Sequence, residues 1–381
     1  MEKGDVKKAS SLMMTAVFAF LMLFFTLGYF VFFPTVIKVQ LIELEKKAEL
    51  PDLTINSVTD GSFEKQLEDY MCDHITQRPF LIALSIKVNK ILGRTYQRGI
   101  YIADDGYLIR ESHFTEDDAR EYAAAVSTLA EECEVPVDLL IIPESGIMLR
   151  DKLPLDVTHR TFDEADKNAE LLAELVSDKV NVCYAKEPIQ ELIDEGTQAY
   201  YRTDHHWTTD CAKAVYEWYT ERIGLGHPNT EYEIHSIPDS YGHIYSLLPQ
   251  LGMQSEEIRY YVNPKGEYTV STDSNNTRHE MIFLEAANNI DNYRIFFGGD
   301  QKYTEISSNA PKGNMLVIND SFGRAFLPFL ADSCSEIFSV DLRQFDTKKK
   351  SVAQLCRERG AERLLIIHYT DTFSDKRVRE F

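Results

Sequence analysis

Hydrophobic and polar positions divide the chain into an apolar amino-terminal segment and a long region in which strand patterns alternate with helix patterns. Residues 12–37 contain no charged side chain and are dominated by Phe, Leu, Met and Val. A run of this length exceeds the roughly 20 helical residues that cross the hydrocarbon core of a bilayer. The pattern therefore predicts an uncleaved transmembrane anchor over residues 12–37, preceded by a short cytoplasmic tail, residues 1–11.

The lysines on either side of this segment indicate its orientation. The count of lysines is equal on the two sides, with Lys3, Lys7 and Lys8 before the segment and Lys38, Lys46 and Lys47 after it. Lys7 and Lys8 lie closer to the predicted span than Lys46 and Lys47 do, and positive charge close to a span favours the cytoplasmic side. We therefore expect a single-pass protein of the cell membrane whose carboxyl-terminal domain is extracellular. Residues 38–60 are predicted to form a stalk or linker between the anchor and that domain.

Residues 61–381 are predicted to form one α/β domain. Strand patterns fall at residues 138–142, 180–184, 315–318, 337–342 and 363–368, and helix patterns at 62–75, 79–92, 116–132, 161–177, 188–195 and 351–359. A further helix is expected to start near residue 322, and Pro328 should keep it short or kinked. Repeated strand and helix units are typical of a parallel sheet with helices on both faces.

Residues 225–311 interrupt this alternation. Gly, Asn, Pro and Tyr are frequent at turns there, and short strand-like runs occur at residues 258–262, 281–284 and 293–297. The segment is therefore predicted to be a partly β insertion or a lid.

Composition limits the kinds of ligand. The formal net charge is −21, which argues against a nucleic-acid partner because nucleic-acid binding needs a basic field. A neutral or cationic substrate suits the chain better. The 20 Tyr and 21 Phe could supply flat surfaces for sugar rings, although most are expected in the core.

The 6 Cys are widely spaced without a Cys-x-x-Cys pair, which argues against structural zinc and leaves any disulfide pairing open.

Two remote stretches carry the candidate chemistry. Asp204 and His206 alternate, so on an extended segment both project to the same face while His205 points away. Ser321 follows the buried-type strand at 315–318, and open α/β folds carry their sites at the carboxyl ends of such strands. A serine becomes a nucleophile when a base takes its proton and a third group orients that base. Asp204, His206 and Ser321 are therefore the candidate catalytic triad.

Several of these residues have simpler interpretations. Asp204 could cap the helix that follows it. Asp204, His205 and His206 also have the chemistry of metal ligands, but adjacent histidines diverge on a strand or a helix, so neither a metal nor another cofactor is expected.

Four further residues are candidates for binding substrate or the oxyanion. Gly298 and Gly299 could let a backbone amide approach the oxyanion, or could simply form a turn. Arg343 could bind a polar substrate group or take part in a surface ion pair. Trp207 could be a platform for a sugar ring, or could be packed in the core.

The string Thr203-Asp-His-His-Trp-Thr208, with Asn-Asp-Ser-Phe-Gly at 319–323 and Val-Asp-Leu-Arg at 340–343, resembles the bacterial family named for its Asp-His-His-Trp tetrad. That family is similar to the SGNH-hydrolase-like proteins of alginate O-acetylation. The resemblance implies an SGNH-like α/β fold and assigns the triad to Asp204, His206 and Ser321. Asn319 departs from the Gly that many SGNH enzymes have before Asp-Ser.

The resemblance also implies a function. We expect an O-acetyltransferase that acts outside the membrane on a cell-surface polysaccharide, with a membrane-bound O-acyltransferase as the acyl donor. The alternatives are a polysaccharide O-acetyl esterase and a non-catalytic glycan-binding partner of such an acyltransferase. A general lipase or esterase is disfavoured because no Gly-x-Ser-x-Gly elbow surrounds Ser321.

Overall fold

The computed structural model describes residues 12–24, 48–73, 78–154, 160–228, 230–273, 277–287 and 291–381. The chain divides into two compact units. The first comprises Met1–Gly93 with Pro249–Gly252, and the second comprises Arg94–Leu248 with Met253–Phe381.

The described part of the first unit is helical. It contains α1 (residues 12–24), α2 (Ile55–Thr59), α3 (Ser62–Asp73) and α4 (Arg78–Ile91). Thr54 begins α2 with a capping box, because its hydroxyl accepts a hydrogen bond from the Ser57 amide. The helices predicted at 62–75 and 79–92 correspond to α3 and α4.

The apolar amino-terminal segment is only partly described. In the described ranges we find no helix with both the length and the apolar character needed to cross a bilayer. The predicted tail at 1–11 and residues 25–37 of the predicted anchor lie outside those ranges, as does most of the first half of the predicted stalk. The anchor and the external location stay predictions.

The second unit contains a mixed set of strands and helices. Its strands are β1 (Tyr96–Gln97), β2 (Ile100–Ile102), β3 (Leu108–Arg110), β4 (Val137–Ile142), β5 (Val180–Tyr184), β6 (Glu233–Ser240), β7 (Glu256–Val262), β8 (Tyr268–Thr272), β9 (Thr277–Arg278), β10 (Tyr303–Ser308), β11 (Asn314–Asn319), β12 (Glu336–Val340) and β13 (Arg363–Tyr369). Its helices are α5 (Glu116–Glu132), α6 (Ser145–Met148), α7 (Arg160–Leu175), α8 (Lys186–Asp194), α9 (Thr209–Arg222), α10 (His243–Leu247), α11 (Gly323–Leu330) and α12 (Val352–Arg359).

The main sheet has eight strands in the order β5-β4-β13-β11-β12-β10-β8-β9. The first five run parallel to their neighbours, and β10, β8 and β9 continue the sheet in antiparallel fashion. The fold is therefore mixed α/β, with a large, mostly parallel sheet flanked by helices, and the predicted α/β class is confirmed at this level.

The central parallel strands are buried on both faces. Every residue of β4 is buried, and so are the five inner residues of β13. Strands buried on both faces have nearly continuous runs of Leu, Ile and Val, and the sequence shows this pattern here. Helices pack beside them, and α5 begins with a capping box between Thr115 and Asp118.

The segment at 225–311 contributes to two sheets. β6 and β7 form a separate antiparallel pair, whereas β8, β9 and β10 extend the main sheet beyond β12. The strand-like run at 258–262 lies in β7. The runs at 281–284 and 293–297 form only an isolated bridge between Ile282 and Phe296, because a 3-10 turn at Asn292–Ile295 interrupts the second run.

Asp138 is a fully buried carboxylate within β4. It accepts hydrogen bonds from Arg363 Nη1 at 2.7 Å, the Tyr219 hydroxyl at 2.8 Å and Asn181 Nδ2 at 2.7 Å. It therefore joins β4, β5, β13 and α9 at one polar point of the sheet.

Replacing Asp138 with alanine should lower the free energy of unfolding by about 3 kcal/mol, because the Arg363 charge and two further donors lose a buried partner. Urea unfolding followed by circular dichroism measures this change. As the matched control, Glu116→Ala removes an exposed i,i+4 pair with Arg120 and should cost less than about 0.5 kcal/mol. Equal effects of the two substitutions would contradict this account.

Candidate active site

Ser321 lies just beyond β11, at the carboxyl edge of the parallel sheet. The preceding Asp320 holds this turn, since its carboxylate accepts hydrogen bonds from the Phe322 amide at 2.8 Å and the Thr372 hydroxyl at 2.6 Å. It also accepts one from the Tyr369 amide at 2.9 Å, at the end of β13. The turn that presents Ser321 is thus tied to the neighbouring central strand.

Asp204 and His206 lie in a tight loop, and the extended segment predicted for them is wrong. Tyr200 and Trp207 close the loop with an isolated antiparallel bridge. Inside it, Asp204 Oδ1 accepts a hydrogen bond from the His206 amide at 3.0 Å. The carboxylate thereby bends the chain toward itself, as aspartates do in Asx turns.

The three predicted triad residues come together. His206 Nδ1 lies 2.6 Å from Asp204 Oδ1, and His206 Nε2 lies 2.8 Å from the Ser321 hydroxyl. All three side chains are buried. The arrangement has the order carboxylate, imidazole, hydroxyl that activates a serine, with the imidazole in the tautomer that carries its proton on Nδ1.

The environment of Asp204 fixes its position and its charge. Its other oxygen, Oδ2, accepts a hydrogen bond from the His243 amide at 2.8 Å. Gly242 packs directly against it, and a Cβ at that position would collide with the Asp204 side chain. Burial alone would raise the pKa of Asp204, but His206 and His205 outweigh burial and lower this pKa well below its usual value.

His206 is neutral at neutral pH. Burial is the largest cause and lowers its pKa to about 3, with the charge of His205 acting in the same direction and Asp204 opposing both. A neutral imidazole can accept the proton of Ser321, which is what a general base must do.

His205 does not point away from the site, in contrast to the prediction. Its ring centroid lies 3.9 Å from that of His206, and its Nδ1 lies 3.2 Å from Asp204 Oδ1. Asp204, His205 and His206 offer three donor atoms within 4.8 Å of one another. Since both nitrogens of His206 already contact Asp204 and Ser321, a metal ion held by these residues would have to displace one of those contacts.

Trp207 lies in the core, as its packing interpretation predicts. The side chain is fully buried, and its Nε1 donates a hydrogen bond to the Phe322 carbonyl at 3.2 Å. It therefore braces the backbone next to Ser321, and it presents no surface to a sugar ring.

Arg343 and Asp300 belong to an ion-pair chain beside the site. Arg343 Nη2 lies 2.6 Å from Asp341 and 3.2 Å from Asp300, and Arg324 Nε lies 3.2 Å from Asp300. Burial alone would raise the pKa of Asp300, but Arg324 and Arg343 outweigh burial and lower it. Arg343 thus has two carboxylate partners, as in its ion-pair interpretation, although the pairs are partly buried.

Gly298 and Gly299 form the turn before Asp300. Both have positive φ angles, +79° and +109°, which favour glycine. The Gly299 amide donates to the Phe296 carbonyl at 3.2 Å, so this amide serves the turn. The oxyanion role of the two glycines stays a prediction.

Two residues of the site were missed by sequence reasoning. Tyr293 stacks on the imidazole of His206, with centroids 3.9 Å apart and planes at 10°. The guanidinium of Arg324 lies 5.0 Å from the centroid of the Tyr293 ring. Arg324 follows Ser321 by three residues on the first turn of α11, a spacing that could have indicated it. Tyr293 lies in an irregular segment without such a signal.

The fold and these three side chains define an α/β protein with a Ser-His-Asp arrangement of the kind used for acyl transfer. The family model described as "DHHW protein" matches residues 82–340, with the Asp204–Trp207 tetrad inside that range. The chain belongs to the DHHW protein family. No curated protein matches its sequence significantly.

Solved structures share this fold. A DHHW family protein from Eubacterium siraeum is 20% identical, with a TM-score of 0.61 over 74% of this chain and 94% of its own. Bacillus cereus PatB1, solved with a sulfonyl adduct, is 20% identical, with a TM-score of 0.62 over 74% of this chain and 97% of its own. The O-acetyltransferase domain of Pseudomonas putida AlgJ is 13% identical, with a TM-score of 0.50 over 73% and 93%. At these identities the similarity concerns the fold.

The depressed pKa of His206 predicts an unusual pH dependence. If the free enzyme needs this imidazole neutral, kcat/KM for an acetyl ester should stay near its maximum down to about pH 5, because His206 is protonated only near pH 3. An acidic limb centred near pH 6.5, the ordinary histidine value, would contradict the assignment.

Stability must be followed over the same range. The unfolded chain binds a proton at His206 near pH 6.5, whereas the folded chain does so near pH 3. The free energy of unfolding therefore falls as the pH decreases from 6.5 toward 3. Circular dichroism at each pH separates lost activity from lost structure.

Proposed function

We propose that this protein is a serine-dependent O-acetyltransferase that acts on a cell-surface polysaccharide outside the cell membrane. The observation that carries the proposal is the hydrogen-bonded chain from Asp204 through His206 to Ser321, with distances of 2.6 and 2.8 Å. Membership of the DHHW family and the fold shared with an O-acetyltransferase domain support the same class of reaction.

The proposed reaction has two half-steps. In the first, His206 Nε2 takes the proton of Ser321, whose oxygen attacks the carbonyl carbon of an acetyl donor. The donor's leaving group departs with the proton from His206, and an acetyl ester remains on Ser321. In the second, His206 deprotonates a sugar hydroxyl, which attacks this ester, and the released Ser321 oxygen recovers the proton. Asp204 holds the imidazole and stabilises its charged form in both half-steps.

Negative charge develops on the carbonyl oxygen during each attack. The Phe322, Gly323 and Arg324 amides are engaged within the turn and the first turn of α11. Arg324 adds a buried positive charge near Ser321, with its Nε 3.4 Å from the Ser321 carbonyl oxygen. Such a fixed charge favours a developing oxyanion in a site with little water. Of the two glycines predicted for this role, Gly298 remains the candidate amide donor, because the Gly299 amide is engaged within its turn.

The donor and acceptor follow from the same proposal. A membrane-bound O-acyltransferase would supply the acetyl group, and a polysaccharide at the cell surface would receive it. The net charge of −21 disfavours a strongly anionic acceptor.

Ser321→Ala should lower the turnover of an acetyl ester on the order of 10⁴-fold or more, because the nucleophile is lost. It should also abolish labelling by a sulfonyl fluoride, the kind of reagent suggested by the sulfonyl adduct of PatB1. Intact-protein mass spectrometry detects the adduct. The control is Ser246→Ala, which removes a hydroxyl that hydrogen-bonds locally to the His243 carbonyl. Labelling that persists in Ser321→Ala would defeat the serine assignment.

Transfer and hydrolysis differ in the fate of the acetyl group. Incubated with an acetyl ester and a neutral oligosaccharide, the protein should acetylate the sugar faster than it releases acetate, because the buried Ser321 and His206 leave little room for free water. Mass spectrometry of the sugar and an acetate assay measure the two rates. Acetate release alone, unaffected by added sugar, would instead favour the esterase.

A further inference from the structure

A groove lined by aromatic side chains lies in the second unit, apart from the triad. Its volume is about 510 Å³, within the range of sites that bind small ligands. The rings that line it come from β6, β7, β8 and neighbouring segments: Tyr232, His235, Tyr260, Tyr261, Tyr268 and His279.

The carboxylate of Asp332 accepts hydrogen bonds from three side chains that line the groove. Its Oδ2 accepts a hydrogen bond from the Tyr232 hydroxyl at 2.6 Å, and its Oδ1 accepts one from Asn263 Nδ2 at 2.9 Å. Oδ1 also accepts a hydrogen bond from the Tyr268 hydroxyl. The rings are thereby fixed before any ligand arrives, which reduces the entropy lost on binding.

A flat platform forms part of the groove wall. His235 on β6 and Tyr260 on β7 are cross-strand partners, and their rings stack with centroids 5.3 Å apart and planes at 22°. Tyr260 is half-buried and His235 is exposed. A ring held in this way offers an apolar face at a low entropic cost.

An antiparallel bridge links the groove wall to the segment that carries Tyr293. Met281 and Ile282 line the groove, and Ile282 bridges to Phe296 in antiparallel fashion. Three residues before Phe296, Tyr293 stacks on the imidazole of His206. The groove wall and the ring that stacks on His206 therefore belong to one connected part of the structure.

The length of α11 sets the separation of the groove from the nucleophile. Ser321 precedes α11, and Phe329 near the end of that helix lines the groove. At 1.5 Å per residue the two positions are about 12 Å apart along the helix. A ligand that contacted both positions would have to span more than one sugar ring, as a polysaccharide does.

The charged residues that line the groove indicate which kind of polymer it can bind. Glu280, Glu285 and Asp332 line the groove, and among the described lining residues none is Lys or Arg. Arg278 pairs with Glu280 and Glu285, whereas Asp332 accepts hydrogen bonds from neutral donors. The negative charge of Asp332 therefore disfavours a polyanion in the groove. Aromatic faces and fixed hydrogen-bonding groups suit instead the alternating CH and hydroxyl surfaces of sugar rings.

We propose that this groove is an accessory binding site for an uncharged segment of the polysaccharide, distinct from the site of acetyl transfer. The proposal rests on the proposed function for the identity of the polymer. It deepens that function by adding a second point of attachment, so that the chain stays bound while successive hydroxyls reach Ser321.

The test measures binding of sugars without acetyl transfer. Isothermal titration calorimetry of the full chain uses neutral hexasaccharides of N-acetylglucosamine, glucose and mannose, with hexagalacturonate as the anionic probe. At least one neutral probe should bind, and hexagalacturonate should not. Tyr260→Ala should weaken binding about tenfold, the effect of losing one aromatic contact, whereas Tyr260→Phe keeps the ring and should bind as the parent does.

Two controls make the outcome decisive. Tyr96→Ala removes an exposed tyrosine of β1 outside the groove and should leave binding unchanged, and circular dichroism of each variant checks that it is folded. Ser321→Ala should bind sugars as the parent does. If the parent itself binds sugar but transfers no acetyl group, the proposed function is contradicted and the accessory site is not. Absence of binding by all neutral probes, or equal binding by Tyr260→Ala and the parent, would overturn the accessory site.

Discussion

The buried carboxylate of Asp204 is the constraint on which the site depends. Its two oxygens receive the amide and the Nδ1 proton of His206 and the amide of His243. One carboxylate thus bends the loop, orients the His206 imidazole and holds α10 beside it. Without that carboxylate, three buried donors would lose their acceptor, and His206 would have nothing to fix its tautomer. Asp204 of the tetrad therefore has a structural role in addition to its proposed chemical one.

The sequence revealed the chemistry more fully than the geometry. The parallel strands could be predicted because strands buried on both faces show unbroken apolar runs. The grouping of Asp204, His206 and Ser321 could be predicted because the tetrad is specific. The loop around Asp204 was misjudged, since an Asp that accepts its neighbours' amide hydrogens gives no periodic signal. For the same reason His205 was expected to point away, whereas the bent backbone brings its ring onto that of His206.

The pairing of strands that are distant in the sequence could not be predicted from local patterns. The stretch at 225–311 contains turns and short runs that look like an insertion, yet β8, β9 and β10 complete the main sheet. Strand order depends on which edges meet in space, and no local pattern encodes it. Tyr293 was missed likewise, because its position over His206 follows from the packing of a 3-10 turn and from no motif.

The place of β13 in the sheet makes the turn of Ser321 depend on a pairing between distant parts of the sequence. This strand is the last in chain order, yet it lies between β4 and β11, and its final residue anchors the turn of Ser321 through Asp320. Its pairing with β4 joins residues more than two hundred positions apart, and such non-local contacts form slowly. A chain that contains Asp204, His206 and Ser321 but has not yet paired β13 therefore lacks the strand that anchors the turn of Ser321.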